Sequence, residues 1–482
     1  MDPLVLTLVV LVLLGALAPV IGSLQVALAG IHGLRNHLRR TGPCLPRVVV
    51  IAPAWNEELV IGASIDRLLG MDYPADRLRV MVVDDCSTDG TPDAVLERAA
   101  RHPGRVVHVR TSEGGRGKAH ALNEGLEQAL ADDWAEAVLI IDADVQFEAG
   151  TLRRMTRHLA DPGVGAVTAY IKEGSHDPAY LNRFIAWEYL DAQAAARRTQ
   201  DVLGGLACLA GGAQLHSRAN LAALGGRIDT TTLAEDTVTT FETQLRGRRA
   251  VFEPAAVVWA EEPPDLHALW KQRIRWGRGN VQVTRRYLST WFRPWTRQGL
   301  SGVLFGLSWF TVLLQPLLMI ISAAALLTLL AIRDDVAWTV FQALWLAHGL
   351  CYLFIVLTAF VIDRGVATTC WREGVLFPGL VSVSIMCYAA IQAVTGAWGV
   401  GGAHPLVWFL SAWLAMCMVV AWLGLRLEHV RGGMWWSRGM IYLAGYGSFL
   451  CVVTLAAYLR ELRGSDRRWE KTEKRGRALL QP

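Results

Sequence analysis

Two apolar runs of this chain end in acids. In "LRVMVVDDCSTDGT" the run closes on Asp84 and Asp85, and in "AVLIIDADVQF" it closes on Asp142, Ala143 and Asp144. An Asp-x-Asp at a strand end can turn two carboxylates onto one hard cation, Mg2+ or Mn2+, and such a cation commonly bridges a diphosphate. Between the two lies "EGGRGKAHALNEGL", where Gly114, Gly115 and Gly117 precede Lys118 and a helical pattern. Glycines there permit close backbone approach, and a lysine at a helix N-terminus favours an anion, so a phosphate contact fits. A third pair, Glu235-Asp236, opens the helical stretch "TTLAEDTVTTFETQL", and "QRIRWGRGN" (272–280) crowds arginines around Trp276. Each has a plainer reading: a turn acid, a flexible loop, acids complementing a helix dipole, an interfacial Trp/Arg anchor. What carries weight is the four occurring together, in order.

Something must hold these groups near one another. Short β-branched runs ("RVVVIAPAWNEE", "LRVMVVDD", "RVVHVR", "AVLIIDADVQF") alternate with helical patterns, which predicts βαβ units and a mostly parallel sheet covered by helices, an α/β fold. Such sheets bind ligands beyond the carboxyl ends of their strands, where both acid pairs fall. From Leu266 the apolar residues Leu266, Leu269, Trp270, Ile274 and Val281 follow helical spacing, with Gln272, Arg275, Trp276 and Gly279 roughly opposite. That pattern predicts a helix on the membrane surface, greasy side to lipid, its other face closing the site.

A membrane is required by composition. The chain has 482 residues, 52% of them hydrophobic, and 19 tryptophans, with a mean hydropathy of +0.29; this excludes an ordinary soluble enzyme. The net charge of +4 gives no reason to expect nucleic acid. Residues 1–33 read as a transmembrane anchor, being too long and lacking the basic start of a signal peptide. The basic flank "RNHLRR" places the soluble domain in the cytoplasm, beneath the plasma (inner) membrane. The eight cysteines form no CxxC pair, as suits a reducing compartment. The expected order is an anchor (1–33), a soluble domain (46–265), interfacial helices (266–298), a transmembrane bundle (303–459) and a basic tail (460–482). Five apolar segments (303–332, 336–362, 375–396, 405–425 and 438–459) would put the tail outside, yet its eight Lys and Arg against four acids want it inside. One segment is therefore expected not to span, either 303–332 with Gln315-Pro316 or 438–459 with Gly445 and Gly447.

The ordered set Asp84-Asp85, Asp142-x-Asp144, Glu235-Asp236 and Gln272-x-x-Arg275-Trp276, followed by membrane segments, resembles the D, DxD, D, QxxRW pattern of membrane-integrated family 2 glycosyltransferases. These include cellulose, chitin, hyaluronan and poly-N-acetylglucosamine synthases. The resemblance implies a GT-A-type domain inserted between transmembrane helices and a UDP-sugar donor of UDP-GlcNAc or UDP-Glc type. It implies that Asp84, Asp85, Lys118, Asp142, Pro53 and Glu57 hold the nucleotide. Asp142 and Asp144 would hold Mg2+ or Mn2+, and Asp236, beside Glu235, would deprotonate the acceptor hydroxyl. Gln272, Arg275 and Trp276 would line the acceptor end, arginine toward the leaving diphosphate and tryptophan under a sugar. "GGAQLHSRANL" resembles the family's acceptor loop, but departs from it at Leu215, His216, Ser217 and Arg218. "WEKTEKRG" resembles a cytoplasmic C-terminal signature of the poly-N-acetylglucosamine branch.

The chemistry is coherent in itself. A departing diphosphate needs neutralising, which a cation and Arg275 can supply; the acceptor oxygen needs one base. A single base favours one displacement with inversion, so an α-linked donor gives a β-linked product. The expected function is a processive synthase passing a β-linked polysaccharide through its own membrane segments. Trp309, Trp345, Tyr352, Tyr388, Trp398, Trp408, Trp413 and Trp422 are candidates for stacking along that path. The alternatives are a single-transfer enzyme of the ceramide glucosyltransferase kind with a lipid acceptor, and a nucleotide-binding scaffold without catalysis. Polymer and lipid acceptor, together with the lipid bilayer itself, are the expected partners beside the donor.

Overall fold

The structure, a computed structural model, describes residues 2–34, 41–175, 179–293, 299–396, 405–431 and 434–464. The flank at 35–40, Trp398 and the tail from residue 465 onward lie outside these. Two compact units emerge. One comprises Leu28–Pro264 with Gln282–Phe305; the other comprises Met1–Ala27, Asp265–Val281 and Gly306–Ser465.

The first unit is built on an eight-stranded sheet: β1 (Val48–Ala54), β2 (Leu78–Asp84), β3 (Val106–Arg110), β4 (Ala137–Ile141), β5 (Gln146–Phe147), β6 (Val164–Glu173), β7 (Ala213–Ser217) and β8 (Arg249–Ala260). Their order is β3-β2-β1-β4-β7-β6-β8-β5. The four strands β3, β2, β1 and β4 are parallel, as their alternation with helices predicts. The other half is mixed. β7 runs antiparallel to β4 and β6, β5 runs antiparallel to β8, and β6 and β8 are parallel. All of β4 and nearly all of β1 are buried, because helices cover both faces.

The helix Lys118–Ala129 lies flush on this sheet. Leu122 and Leu126 join Ile51, Val83 and Ile140 in the core, and a side-chain carbon on Gly125 would come within 2.8 Å of Val83 and 2.9 Å of Ile51. Gly125, inside the "NEGL" of the glycine-rich stretch, is thus a packing residue. By letting the helix down onto β1 and β2 it fixes where Lys118, at the helix start, points.

The stretch read as an acceptor loop turns out otherwise. Leu215 and His216 are fully buried in β7, in mid-sheet between β4 and β6, and Ser217 caps the helix Arg218–Ala223. Leu215 and His216 are core residues, whereas a side-chain carbon on Gly211 would meet Lys118 and Asp236, and one on Gly212 Asp142. The His216 ring contacts Asn220 at 3.3 Å, and burial pushes its pKa down to about 4. The folded state thus disfavours the proton that the unfolded chain takes up near pH 6.5. Stability should be full above about pH 6.5 and fall by on the order of 3 kcal/mol as pH drops toward 4. Urea unfolding followed at several pH values checks this: His216→Gln should flatten that part of the profile, and an unchanged slope would remove His216 as its cause.

Among the described residues four helices are long and apolar enough to cross a membrane: Pro3–Leu34, Val303–Ile332, Asp335–Ile362 and Trp408–Glu428. Two further pairs, Arg364–Val375 with Leu380–Thr395 and Trp435–Ala444 with Tyr446–Leu462, are bent by 84° and 95°, giving up to six spans if each pair counts as one. Of the two segments suspected of not spanning, 303–332 stays one helix through Pro316, whereas 438–459 breaks at Gly445. The break in the segment 375–396 falls before Leu380 and has a sequence signal, Pro378-Gly379, that composition alone does not weigh. The two breaks meet. Gly379 and Gly445 both have left-handed φ, +92° and +95°, and a side-chain carbon on Gly379 would lie 2.6 Å from the Gly445 amide nitrogen. The Gly447 amide donates to the Phe377 carbonyl at 3.1 Å.

Of the aromatic residues expected along a glycan path, Trp408 and Trp422 are 39% exposed and face outward, as lipid-facing or belt residues do. Trp345 and Trp413 are buried. Trp345 packs with Phe341 and His348 of its own helix, and Tyr388 of Leu380–Thr395 meets Trp338 of Asp335–Ile362.

Candidate active site

Asp84 and Asp85 sit where β2 ends, and their duties differ. The Asp84 carboxylate is fully buried and accepts from the Ser87 amide at 2.7 Å and from Arg110 at 3.0 Å, with the His108 ring 3.4 Å away. Asp85 instead accepts from the Thr111 hydroxyl at 3.2 Å and the Gly115 amide at 3.3 Å, tying the glycine-rich loop to the strand end. That loop needs its glycines: Gly115 and Gly117 have φ of +77° and +98°, costly for any side chain.

The turn after β1 is stitched to the turn after β2. Pro53 pairs in register with Val83. The Asn56 amide donates to Ser87 Oγ at 2.9 Å, the Thr88 amide to Asn56 Oδ1 at 2.8 Å, and the Glu57 amide to Thr91 Oγ1 at 2.8 Å. Asn56 and Cys86 both hold left-handed φ, +54° and +55°, the sort of backbone strain that surrounding contacts must over-determine. Sequence reading missed Asn56, whose partners Ser87 and Thr88 lie in the turn after β2, and Arg110, whose partner Asp84 ends β2.

Opposite charges meet around Gly211. Lys118 Nζ donates to Asp142 Oδ1 at 2.5 Å and to the Gly211 carbonyl at 3.2 Å. A side-chain carbon on Gly211 would sit 3.3 Å from Lys118 Nζ and 3.4 Å from Asp236 Oδ2, and one on Gly212 would sit 3.5 Å from Asp142 Oδ2. Two bare glycines therefore leave a cradle among Lys118, Asp142 and Asp236. Burial works against the lysine's charge, but Asp142 and Glu235 outweigh it and hold Lys118 above its ordinary range. Asp144 is almost fully buried.

Glu235 and Asp236 open the helix Glu235–Leu245, and the Thr237 amide donates to Asp236 Oδ1 at 2.7 Å, so the helix N-terminus supports the carboxylate. Two unanticipated residues adjoin it. Burial, then Asp236, pushes the Cys208 thiol well up, and burial lowers Arg197 despite the neighbouring Cys208 and Asp236 charges.

Gln272, Arg275 and Trp276 lie on the part of the helix Leu266–Arg286 that belongs to the membrane unit. The expectation of one face against lipid is corrected here: Leu266, Leu269 and Ile274 are at most 3% exposed, buried by protein rather than open to a bilayer. The polar residues Gln272, Arg275 and Trp276 are half-buried. The cation on Trp276 is Arg273, its guanidinium 4.1 Å from the ring centroid, and Arg273 donates to Gln272 Oε1 at 2.6 Å. The last turn belongs to the sheet-bearing unit, where Gln282 accepts from the Leu233 amide at 2.9 Å and Arg286 pairs with Asp229 at 2.8 Å.

The family model described as glycosyltransferase like family 2 matches residues 46–279. β-Monoglucosyldiacylglycerol synthase of Synechocystis sp. (strain ATCC 27184 / PCC 6803 / Kazusa) is 34% identical over 247 residues, 51% of this chain and 50% of that one. Poly-β-1,6-N-acetyl-D-glucosamine synthase of Staphylococcus aureus (strain COL) is 28% identical over 243 residues, 50% of this chain and 56% of that one. The match thus spans little more than half the length of these curated relatives. Among solved structures, the mannosyltransferase PcManGT from Pyrobaculum calidifontis, in complex with GDP-Man and Mn2+, is similar over 79% of this chain and 99% of that one, with 26% identity and a TM-score of 0.51. Sheet, strand-end acids and these likenesses agree: residues 46–279 are a family 2 glycosyltransferase domain of GT-A fold.

Proposed function

We propose that the chain is an inverting hexosyltransferase that takes a sugar from a UDP-sugar and builds a β-linked polysaccharide at the cytoplasmic face of the plasma membrane. The observation that carries this reading is the cradle at Gly211, where a phosphate-seeking lysine, an Asp-x-Asp acid and a helix-opening acid converge. Asp85 and the turns bearing Pro53 and Glu57 form the nucleotide side, with Asp84 holding that loop in shape through Arg110. Lys118 turns from Asp142 to the diphosphate when the donor binds.

A divalent cation fits this donor set. Among the described residues no group of three or more His, Cys, Asp or Glu side chains could hold an ion unaided, so Asp142 and Asp144 would share it with the diphosphate oxygens, as a hard cation with oxygen ligands prefers. Bound there, Mg2+ or Mn2+ would neutralise charge on the leaving diphosphate; the Mn2+ in the complex of the Pyrobaculum calidifontis mannosyltransferase supports the assignment. Asp236 takes the proton of the acceptor hydroxyl, whose oxygen bonds to the anomeric carbon as the carbon–phosphate oxygen bond breaks and UDP departs. Glu235 adds negative potential that keeps Lys118 charged. Gln272, Arg275 and Trp276 line the acceptor side, with Arg273 stacking on Trp276 to hold its ring.

The poly-N-acetylglucosamine synthase likeness and the number of apolar helices favour polymerisation with export. The glucosyldiacylglycerol synthase likeness favours a second reading, single transfer to a lipid. Labelled UDP-sugar supplied to the cytoplasmic face of sealed vesicles holding only this protein separates them. A long product protected from added glycosidase is expected, and a lipid-extractable product bearing one sugar would replace the first reading by the second.

A further inference from the structure

Within the membrane unit the helix carrying Gln272, Arg275 and Trp276 has a close companion in Tyr446–Leu462. Trp270 meets Phe449 edge-on, ring centroids 6.2 Å apart. A side-chain carbon on Gly277 would lie 2.8 Å from the Ala457 methyl. Arg278 Nε donates to Glu461 Oε2 at 3.1 Å, and both side chains are nearly sealed from solvent, 7% and 9% exposed. Residue numbers rise together along both helices, so the two lie parallel. Gly277, with no side chain, gives the pair a smooth contact along which apolar packing alone would tolerate sliding. A buried ion pair does not, because displacement strands a charge away from water, and a guanidinium accepts its carboxylate only in a narrow range of directions.

We propose that the Arg278–Glu461 ion pair, seated beside the Gly277–Ala457 contact, is a positioning device that fixes the axial register of the QxxRW helix on the helix Tyr446–Leu462, and with it the height at which Arg275 and Trp276 meet the acceptor. It rests on the functional reading in which Arg275 and Trp276 act there. Arg278 and Glu461 touch no substrate in this scheme. One residue of slip moves every side chain on the helix by about 1.5 Å, and a misplacement of about 1 Å can cost on the order of 100-fold in rate. The pair is the kind of buried polar contact whose best-attested use is setting registry.

The test uses the full-length protein in lipid nanodiscs, with UDP release from UDP-GlcNAc or UDP-glucose, whichever it turns over, as the readout. Arg278→Met and Glu461→Gln are expected to lower kcat by roughly 10- to 100-fold while KM for the UDP-sugar stays within about twofold. The exchange R278E/E461R is expected to recover most of the loss. Arg275→Ala serves as the reference. If that variant keeps full turnover, the acceptor-side reading fails. If it is inactive while Arg278→Met and Glu461→Gln keep kcat within about twofold, the positioning proposal alone is overturned. A folded exchange variant no better than the single ones overturns it as well. Where these variants fail to fold, Glu461→Asp, which keeps the charge but shortens its reach, decides: lowered kcat at constant KM supports the proposal, and unchanged kcat overturns it.

Discussion

Asp236→Asn is expected to abolish transfer, by about 100- to 10,000-fold, the usual contribution of a positioned base, while UDP binds within a few-fold of its normal affinity. The substitution is nearly neutral for the fold. Asparagine keeps a side-chain oxygen for the Thr237 amide, which donates to Asp236 Oδ1 at 2.7 Å, and gives up only a charge–dipole interaction of roughly 0.3–1 kcal/mol in the first turn. What it removes is the capacity to accept a proton, beside a glycine cradle that leaves room for an incoming hydroxyl. Of the acids brought together, Asp85 is spent on Thr111 and Gly115, Asp84 on Arg110 and Ser87, and Asp142 on Lys118. Turnover retained by the asparagine variant, measured as UDP release with UDP affinity from calorimetry, would end the base assignment.

The second large effect is metal removal. Activity in excess EDTA should fall by two or more orders of magnitude, in keeping with the several kcal/mol of charge stabilisation a bound cation supplies, and should return with Mg2+ or Mn2+. Asp144→Asn should raise the metal concentration needed for half-activation, since a buried carboxylate exchanged for an amide binds a hard cation less well. Full activity in EDTA would mean that Lys118 and Arg275 suffice to balance the diphosphate.

The half of the fold that was legible is the half whose signals are local. β1, β2, β3 and β4 with their intervening helices follow from periodicity, because each strand is bounded by its own turn residues. The mixed half was not legible: β7 inserts between β4 and β6 with both neighbours antiparallel, an arrangement set by long-range pairing that no window of sequence contains. The same division runs through the site. The acids announce themselves at strand ends, and a lysine heading a helix is a local pattern. That Asp84 is held by Arg110, that Arg273 rather than Arg275 stacks on Trp276, and that His216 is core depend on which strand or helix turn lies beside which, and residue types alone are silent on this. Hydropathy marks the apolar segments, and Gly445 announces the break in 438–459, but averaging over Gly379 leaves the bend before Leu380 unread.

Those two glycines share one volume. Each turn passes through the space that a side chain on the other would need, and the Gly447–Phe377 hydrogen bond crosses the same point. The bent pairs are therefore a knuckle of clasped elbows: neither can straighten, swing or shift by a turn without pushing through the backbone of its mate. Under the proposed function, in which a glycan or lipid passes, compliance would belong elsewhere in the bundle, among the unbroken helices, with the clasp as the fixed point.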